Sequence, residues 1–406
     1  MSMQSDLRNP ELGYFDEGMN LADAALFQSA IQPFGAATSL PPVAYRSKAF
    51  FELENEKVWT RSWVVIGLLQ QIPNPGDLLP FTLGFHGVHV QRNRDGSVSA
   101  RLNRHQHGGC RFVPEQCRTG AQTKCSITSC NYTRDADVMP AGENGENTDL
   151  MYKFVGLVPE KLAPVKCETW GPFIFINLDP EAGPLADYLG GFPAAMGHLL
   201  GGSLYLAGKQ WIDFQSNWKM AGAALTELGQ PLAQPRSNTV PDEIPAYAAG
   251  GGLASWMLAD PESAGESAAE GMHWLFPNAV LAVSRTHVAV ILLQATGMGK
   301  CLCRFFLLAS GSARSVGEAS DATAGLFGRW QSALLGARQE AERLHKEAVL
   351  IGTPSRPGTT AEDVPIEANP CSHMLNRFVA DRVVREHHYY WNAPIMDAAM
   401  LTRGYR

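Results

Sequence analysis

The alternation of apolar and polar positions changes character along the chain. Between Arg46 and Arg61 the residues Phe50, Phe51, Leu53, Val58 and Trp59 recur at helical spacing, which predicts a short amphipathic helix. Short apolar runs broken by turns follow: Trp63–Leu69, Asp77–Leu83 after Pro73-Asn74-Pro75-Gly76, and Val88–Arg92. The Asp95-Gly96 pair behind the last run is a hairpin signal. Residues 63–160 therefore read as a small all-β domain, preceded by a helical segment over 1–62 that packs on the C-terminal domain.

Past residue 160 the elements lengthen. Phe173–Leu178 predicts a strand, and Leu185–Leu199 and Asn217–Leu228 predict helices. Leu253–Leu258, His273–Val283, Thr286–Gln294 and Cys301–Ala309 predict successive antiparallel strands. Ala324–Val349 is a long helix ending at Gly352 and Pro354, and Ala361–Tyr390 a further helix. Residues 134–149 and 234–252 are rich in turn formers and read as loops. Strands followed by segregated long helices give an α+β fold, so 161–406 is expected to be an antiparallel sheet with long helices set apart from it.

Composition narrows the partners. The chain has 406 residues, a length that favours two domains, and a formal net charge of −7. No strongly basic block stands out, which argues against nucleic acid and anionic membrane. No run reaches the ~18 apolar residues of a membrane helix, and the first residues lack a basic stretch followed by an apolar one. A cytoplasmic location is the expectation. Four of the eight cysteines fall between Cys110 and Cys130. In a reducing compartment these are thiols or metal ligands rather than disulfides.

Five segments carry a family resemblance. They are Phe51-x-Leu-Glu54 with Val58-Trp59-x-Arg61-Ser62-Trp63 and Pro75-Gly76-Asp77; Leu102-Asn103 leading into His105-Gln-His107-Gly108-Gly109; Trp170 through Asp179; Asn217-Trp218-Lys219 with Glu227; and Trp274-Leu-Phe276-Pro277-Asn278. In this order they resemble the α-subunits of Rieske non-haem iron oxygenases, the ring-hydroxylating and N-demethylating family. The resemblance covers roughly residues 45 to 392. It implies a Rieske-like β domain and a helix-grip catalytic-type domain. It also implies a trimer in which one subunit's cluster passes electrons to its neighbour's iron.

A Rieske [2Fe–2S] cluster takes two thiolates on one iron and two imidazoles on the other. The family's Cys-x-His and Cys-x2-His positions fall here on His105, His107, Cys125 and Thr128. His107 and Cys125 match, whereas His105 replaces a thiolate and Thr128 an imidazole. The mononuclear site uses two histidines and a carboxylate. Its positions fall on Gln230, Gln234 and, by a loose assignment, Asp363, with Glu227 as the bridging acid. Gln binds ferrous iron weakly through a carbonyl oxygen, so neither a cluster nor a mononuclear iron is expected. Asp363 also reads as a helix N-terminal charge. Glu227 also reads as a buried acid paired with a base.

His105, His107, Cys110, Cys117, Cys125 and Cys130 could alternatively hold a structural zinc, since zinc accepts any four Cys or His donors. They read more simply as thiols and histidines in loops held by packing. Three functions then compete. The first is a catalytically degenerate α-like subunit, a pseudoenzyme that partners an active α-subunit paralogue in a hetero-oligomer and, through it, a reductase. The second is an active Rieske-type oxygenase with atypical ligands. The third is a small-molecule binding protein using the helix-grip cavity, with Gln230 and Gln234 as hydrogen-bonding groups.

Overall fold

The computed structural model describes residues 14–16, 19–84, 86–102, 137–155, 162–200, 204–228, 253–257, 271–284, 286–311, 321–350 and 370–385. A two-residue hairpin, β1 (Phe15–Asp16) and β2 (Met19–Asn20), opens the chain. Helices α1 (Val43–Arg46) and α2 (Lys48–Glu54) follow. The Ser47 hydroxyl caps α2 by accepting from the Phe50 amide. A π-helical turn over Asn55–Trp59 completes the helical stretch expected over 46–61.

Strands β3 (Val64–Leu68), β4 (Leu78–Leu83), β5 (His86–Arg92) and β6 (Val98–Leu102) come next. The Asp95-Gly96 turn closes the β5–β6 hairpin, and Gly96 takes φ 84°, a conformation that suits glycine. After α3 (Asp149–Val155), the strands β7 (Pro164–Trp170) and β8 (Phe173–Asn177) return to the same sheet. The order is β3-β8-β7-β6-β5-β4, so the first sheet draws two strands from beyond residue 160.

Helices α4 (Leu185–Leu189) and α5 (Phe192–Leu200) occupy the stretch expected as one helix. The break falls at Gly190, whose φ of 53° ends α4 in the left-handed region. Strand β9 (Leu204–Phe214) leads into α6 (Trp218–Thr226). Then come β10 (Leu253–Met257), β11 (Gly271–Leu275), β12 (Ala279–Val283), β13 (His287–Gly297) and β14 (Lys300–Ser310). The run His273–Val283, expected as one strand, is thus a hairpin. Its turn, Phe276-Pro277-Asn278, is buried, and the Pro-Asn pair inside the apolar run is the turn signal that the strand reading passed over. The second sheet is antiparallel in the order β10-β11-β12-β13-β14-β9. Helices α7 (Asp321–Leu350) and α8 (Pro370–Val384) complete the described elements. The architecture is α+β, as the alternation of elements implied.

Two faces of the second sheet bury different partners. On one face Ile291, Leu293, Cys303, Phe305 and Leu307 pack against α6, α7 and α8. On the other, Val290, Leu292, Phe306 and Leu308 meet Val65, Phe173, Phe175 and the α4–α5 region. Polar joints fix the second contact. Asn278 accepts the Val65 amide at 3.0 Å and donates to the carbonyls of Val65 (2.7 Å) and Leu293 (3.2 Å). Arg304, fully buried, lies between the Phe81 and Trp211 rings, 4.7 and 4.6 Å from their centroids. It donates to Gln294 at 2.9 Å, and Gln294 in turn donates to the Thr82 carbonyl at 2.8 Å.

The Asn278 joint sets a stability expectation. Asn278→Ala strands the Val65 amide and carbonyl in the interior, and each unpaired group costs about 1–3 kcal/mol. Urea unfolding is expected to show a loss of about 3 kcal/mol with an unchanged slope.

Candidate functional site

The described part of the expected iron site is built on α6. Asn217 caps it, its side chain accepting the Lys219 amide at 3.1 Å and donating to the Met298 carbonyl at 2.9 Å. The helix is enclosed on all sides: Trp218, Ala221, Ala224, Leu225 and Thr226 are all buried. Gly222 has a steric reason. A Cβ there would stand 1.8 Å from the Trp274 ring, so the helix seats flush on β11 through that glycine. Trp274 is held in turn by its Nε1–H, which donates to the Pro277 carbonyl at 3.1 Å.

Lys219 meets Glu54 of α2 inside the protein. The Nζ–Oε1 distance is 2.6 Å, and both side chains are essentially without solvent exposure. Trp218 Nε1 donates to the other carboxylate oxygen at 3.3 Å. The Lys219 ammonium also lies 5.2 to 5.5 Å from the ring centroids of Tyr45, Phe50 and Trp218. Trp59 closes the cluster edge-on to Trp218. Burial pushes the Glu54 carboxyl up and the Lys219 ammonium down, and the attraction between them opposes both shifts.

Glu227 ends α6 and is half-buried. Burial raises its carboxyl above the ordinary range, the nearby Glu340 charge adds to the rise, and Arg343 opposes it. Arg343 is already engaged: it bonds Glu340 and Glu347 along α7 at 2.5 Å each. Among the described residues, Arg343 is the base whose charge reaches Glu227, while its own ion pairs run to Glu340 and Glu347.

The remaining expected site residues lie outside the described residues. These are His105, His107, Cys110, Cys117, Cys125, Thr128 and Cys130 between residues 103 and 136, Gln230 and Gln234 within 229–252, and Asp363 within 351–369. The structure brings together two described residues, one before the second of these stretches and one after the third. Thr226 Oγ1 at the close of α6 stands 3.5 Å from Ser372 Oγ in the first turn of α8. Among the described residues no group of three His, Cys, Asp or Glu side chains is arranged to hold a metal. The described cysteines Cys167, Cys301, Cys303 and Cys371 are free thiols. Burial pushes Cys167 and Cys301 up to about 12, which keeps them protonated and unreactive. His273 is a buried residue of β11 set edge-on to Phe192.

Several structural residues carried no sequence signal. Arg304 looks like any charge in a strand, and Lys57 like a surface lysine. Yet Lys57 is buried and donates to the carbonyls of Val383 and Arg385 at the end of α8.

The fold defines an α+β protein in which a β-sheet unit is docked on a helix-gripped antiparallel sheet. The comparisons with known proteins agree with this class. The chain is 29% identical over 191 residues to the benzene 1,2-dioxygenase subunit alpha of Pseudomonas putida. It is 30% identical over 190 residues to the biphenyl 2,3-dioxygenase subunit alpha of Rhodococcus jostii (strain RHA1). The first match spans 46% of this chain and 41% of that relative, so well under two thirds of the relative is represented. No family model matches. Among solved structures, the quaternary ammonium Rieske monooxygenase CntA with an inhibitor shares the fold at TM-score 0.55 and 14% identity, over 89% of this chain and 98% of that one. A naphthalene 1,2-dioxygenase variant bound to phenanthrene does so at TM-score 0.54 and 17% identity, over 90% and 96%. The chain is a homologue of Rieske oxygenase α-subunits.

Glu227 allows a signed expectation. A carboxyl raised in the folded state disfavours folding once pH climbs past its ordinary value of 4.5, because the folded chain then gives up its proton less readily than the unfolded one. Glu227→Gln is therefore expected to raise the thermal midpoint by about 1 °C at pH 7, the scale of a single partly exposed charge. The gain should vanish below that ordinary pKa, where both states are protonated.

Proposed function

We propose that this chain is a catalytically inactive α-like subunit that assembles with an active Rieske oxygenase α-subunit, as its structural or regulatory partner. The observation that carries the reading is the division of labour among the residues of the resemblance. Those with described contacts serve the architecture. Lys219 and Trp218 anchor on Glu54, Arg61 pairs with Asp179 at 3.2 Å, and Asn278 ties β3 to β13. Asp77 accepts the Asn74 and Ala141 amides, both at 2.9 Å, and so holds the Pro75-Gly76 turn. None of these contacts needs iron.

The donor set points the same way. A neutral hydroxyl at Thr128 and a histidine at His105 do not supply the two thiolates and two imidazoles of a Rieske cluster. Gln230 and Gln234 do not supply the imidazoles of a facial triad. The residues do not fit the family's groups, and no redox step is derived through them. Whether His105, His107, Cys110, Cys117, Cys125 and Cys130 hold zinc instead is decided by a metal count.

We divide the chain accordingly, with the segment 1–62 leaning on the C-terminal unit and the β unit of 63–160 extended through β8. The location proposed is cytoplasmic. Among the described residues no helix is long and apolar enough to cross a membrane.

The experiment is purification without added metal, iron quantitation and electron paramagnetic resonance, alongside co-expression with an α-subunit paralogue whose ligands are complete. Substoichiometric iron, no Rieske signal, and co-purification with higher partner activity are expected. A Rieske signal with about two irons per chain would establish an active oxygenase with atypical ligands. A lone monomer without effect on the paralogue would remove the partner role and leave ligand binding in the helix-grip cavity.

A further inference from the structure

His287 joins the second sheet to the long helix α7. It is the first residue of β13, and its ring meets Trp330 of α7 edge-on, with centroids 6.3 Å apart. Trp330 is buried and lies 6.1 Å from the Phe305 ring of β14, beside Phe327, which stacks on Phe305 at 5.3 Å. These aromatic contacts seat the first turns of α7 on the sheet.

The hydrogen bonds around the ring fix its protonation. The Ser284 hydroxyl donates to the His287 carbonyl at 3.1 Å and accepts the His287 backbone amide at 3.2 Å. Its single proton is thereby used. Nδ1, only 2.7 Å from the same oxygen, must carry the proton that it shares with Ser284. Thr286 Oγ1 stands 3.2 Å from Nδ1 as well. Nε2 is left as the acceptor of the Trp330 Nε1–H, at 3.4 Å. The latch thus requires a neutral ring in one tautomer.

We infer that Ser284, His287 and Trp330 form an acid-sensitive latch that holds the N-terminal turns of α7 to the sheet when His287 is neutral and loosens them when it is protonated. A proton on Nε2 sets two N–H groups against each other and removes the acceptor. Among the described residues the charged group that bears on the ring is Arg329 of α7, which opposes a second positive charge. The described neighbours on the strand side, Ser284 and Thr286, are uncharged. Burial and Arg329 together hold the imidazole below its ordinary value of 6.5. The sign follows. The unfolded chain binds the proton first as pH falls past that ordinary value, so the latch is intact above it and weakens below it.

The measurement is amide hydrogen exchange of the full chain at pH 7.5 and 5.5, expressed as protection so that the intrinsic pH dependence cancels. In the wild type, protection over residues 323–334 is expected to fall several-fold on acidification relative to residues 338–348 of the same helix. In His287→Gln, which stays neutral throughout, the ratio between the two segments should not change with pH. Trp330→Phe keeps a ring on Phe305 but lacks the N–H donor, so its acid response should shrink. An equal response in the wild type and His287→Gln, or none in the wild type, overturns the inference. Should His287→Gln fail to fold, an undiminished response in Trp330→Phe overturns it likewise.

Discussion

A salt bridge without solvent governs how this chain is put together. Glu54 comes from the second helix and Lys219 from the sixth, 165 residues later, and they meet at 2.6 Å inside a wall of aromatic rings. Taking two charges out of water is costly, and their attraction recovers that cost only when geometry and extra hydrogen bonds are good. The extra bond comes from Trp218, and the rings of Tyr45, Phe50 and Trp218 face the ammonium. Hydrophobic residues of like volume could stabilise such a site equally well. What an ion pair adds is selectivity: an alternative seating of α2 on α6 would strand a charge.

From that joint the rest of the site follows in order. Asn217 starts α6 and reaches the β13–β14 turn through Met298. Gly222 lets the helix lie on Trp274, and Trp274 is fixed by the same buried turn whose Asn278 reaches back to β3. Three segments of the resemblance are therefore one connected structure. The contacts that join them are made by side chains and backbone groups of α2, α6, β3, β11 and β13.

Much of the fold was legible from periodicity. The strands β3, β4, β5, β8, β10, β13 and β14, the Asp95-Gly96 hairpin, and the helices α6 and α7 stand where apolar spacing put them. The misses share a cause, which is that the signal depends on contrast. β7 is half-exposed with polar and apolar residues intermixed, and β9 is an edge strand whose residues are mostly of intermediate exposure. The turn between β11 and β12 is buried, and the break between α4 and α5 is the short pair Gly190-Gly191 inside an otherwise mostly apolar run. For the site, the segments were readable but the partnerships were not. Nothing in the sequence says that Glu54 and Lys219 face each other, or that Glu227 stands near Glu340, because burial of charge is settled by elements far apart in the chain.

The most direct measurement is a double-mutant cycle on the buried pair, read by urea unfolding of Glu54→Leu, Lys219→Met and both together. Each single change should cost about 3–5 kcal/mol by leaving one charge unpaired, and the double change should cost less than either alone. Costs that simply add would contradict the account, for the two side chains would then not depend on one another, and the joint between α2 and α6 would rest on apolar packing alone.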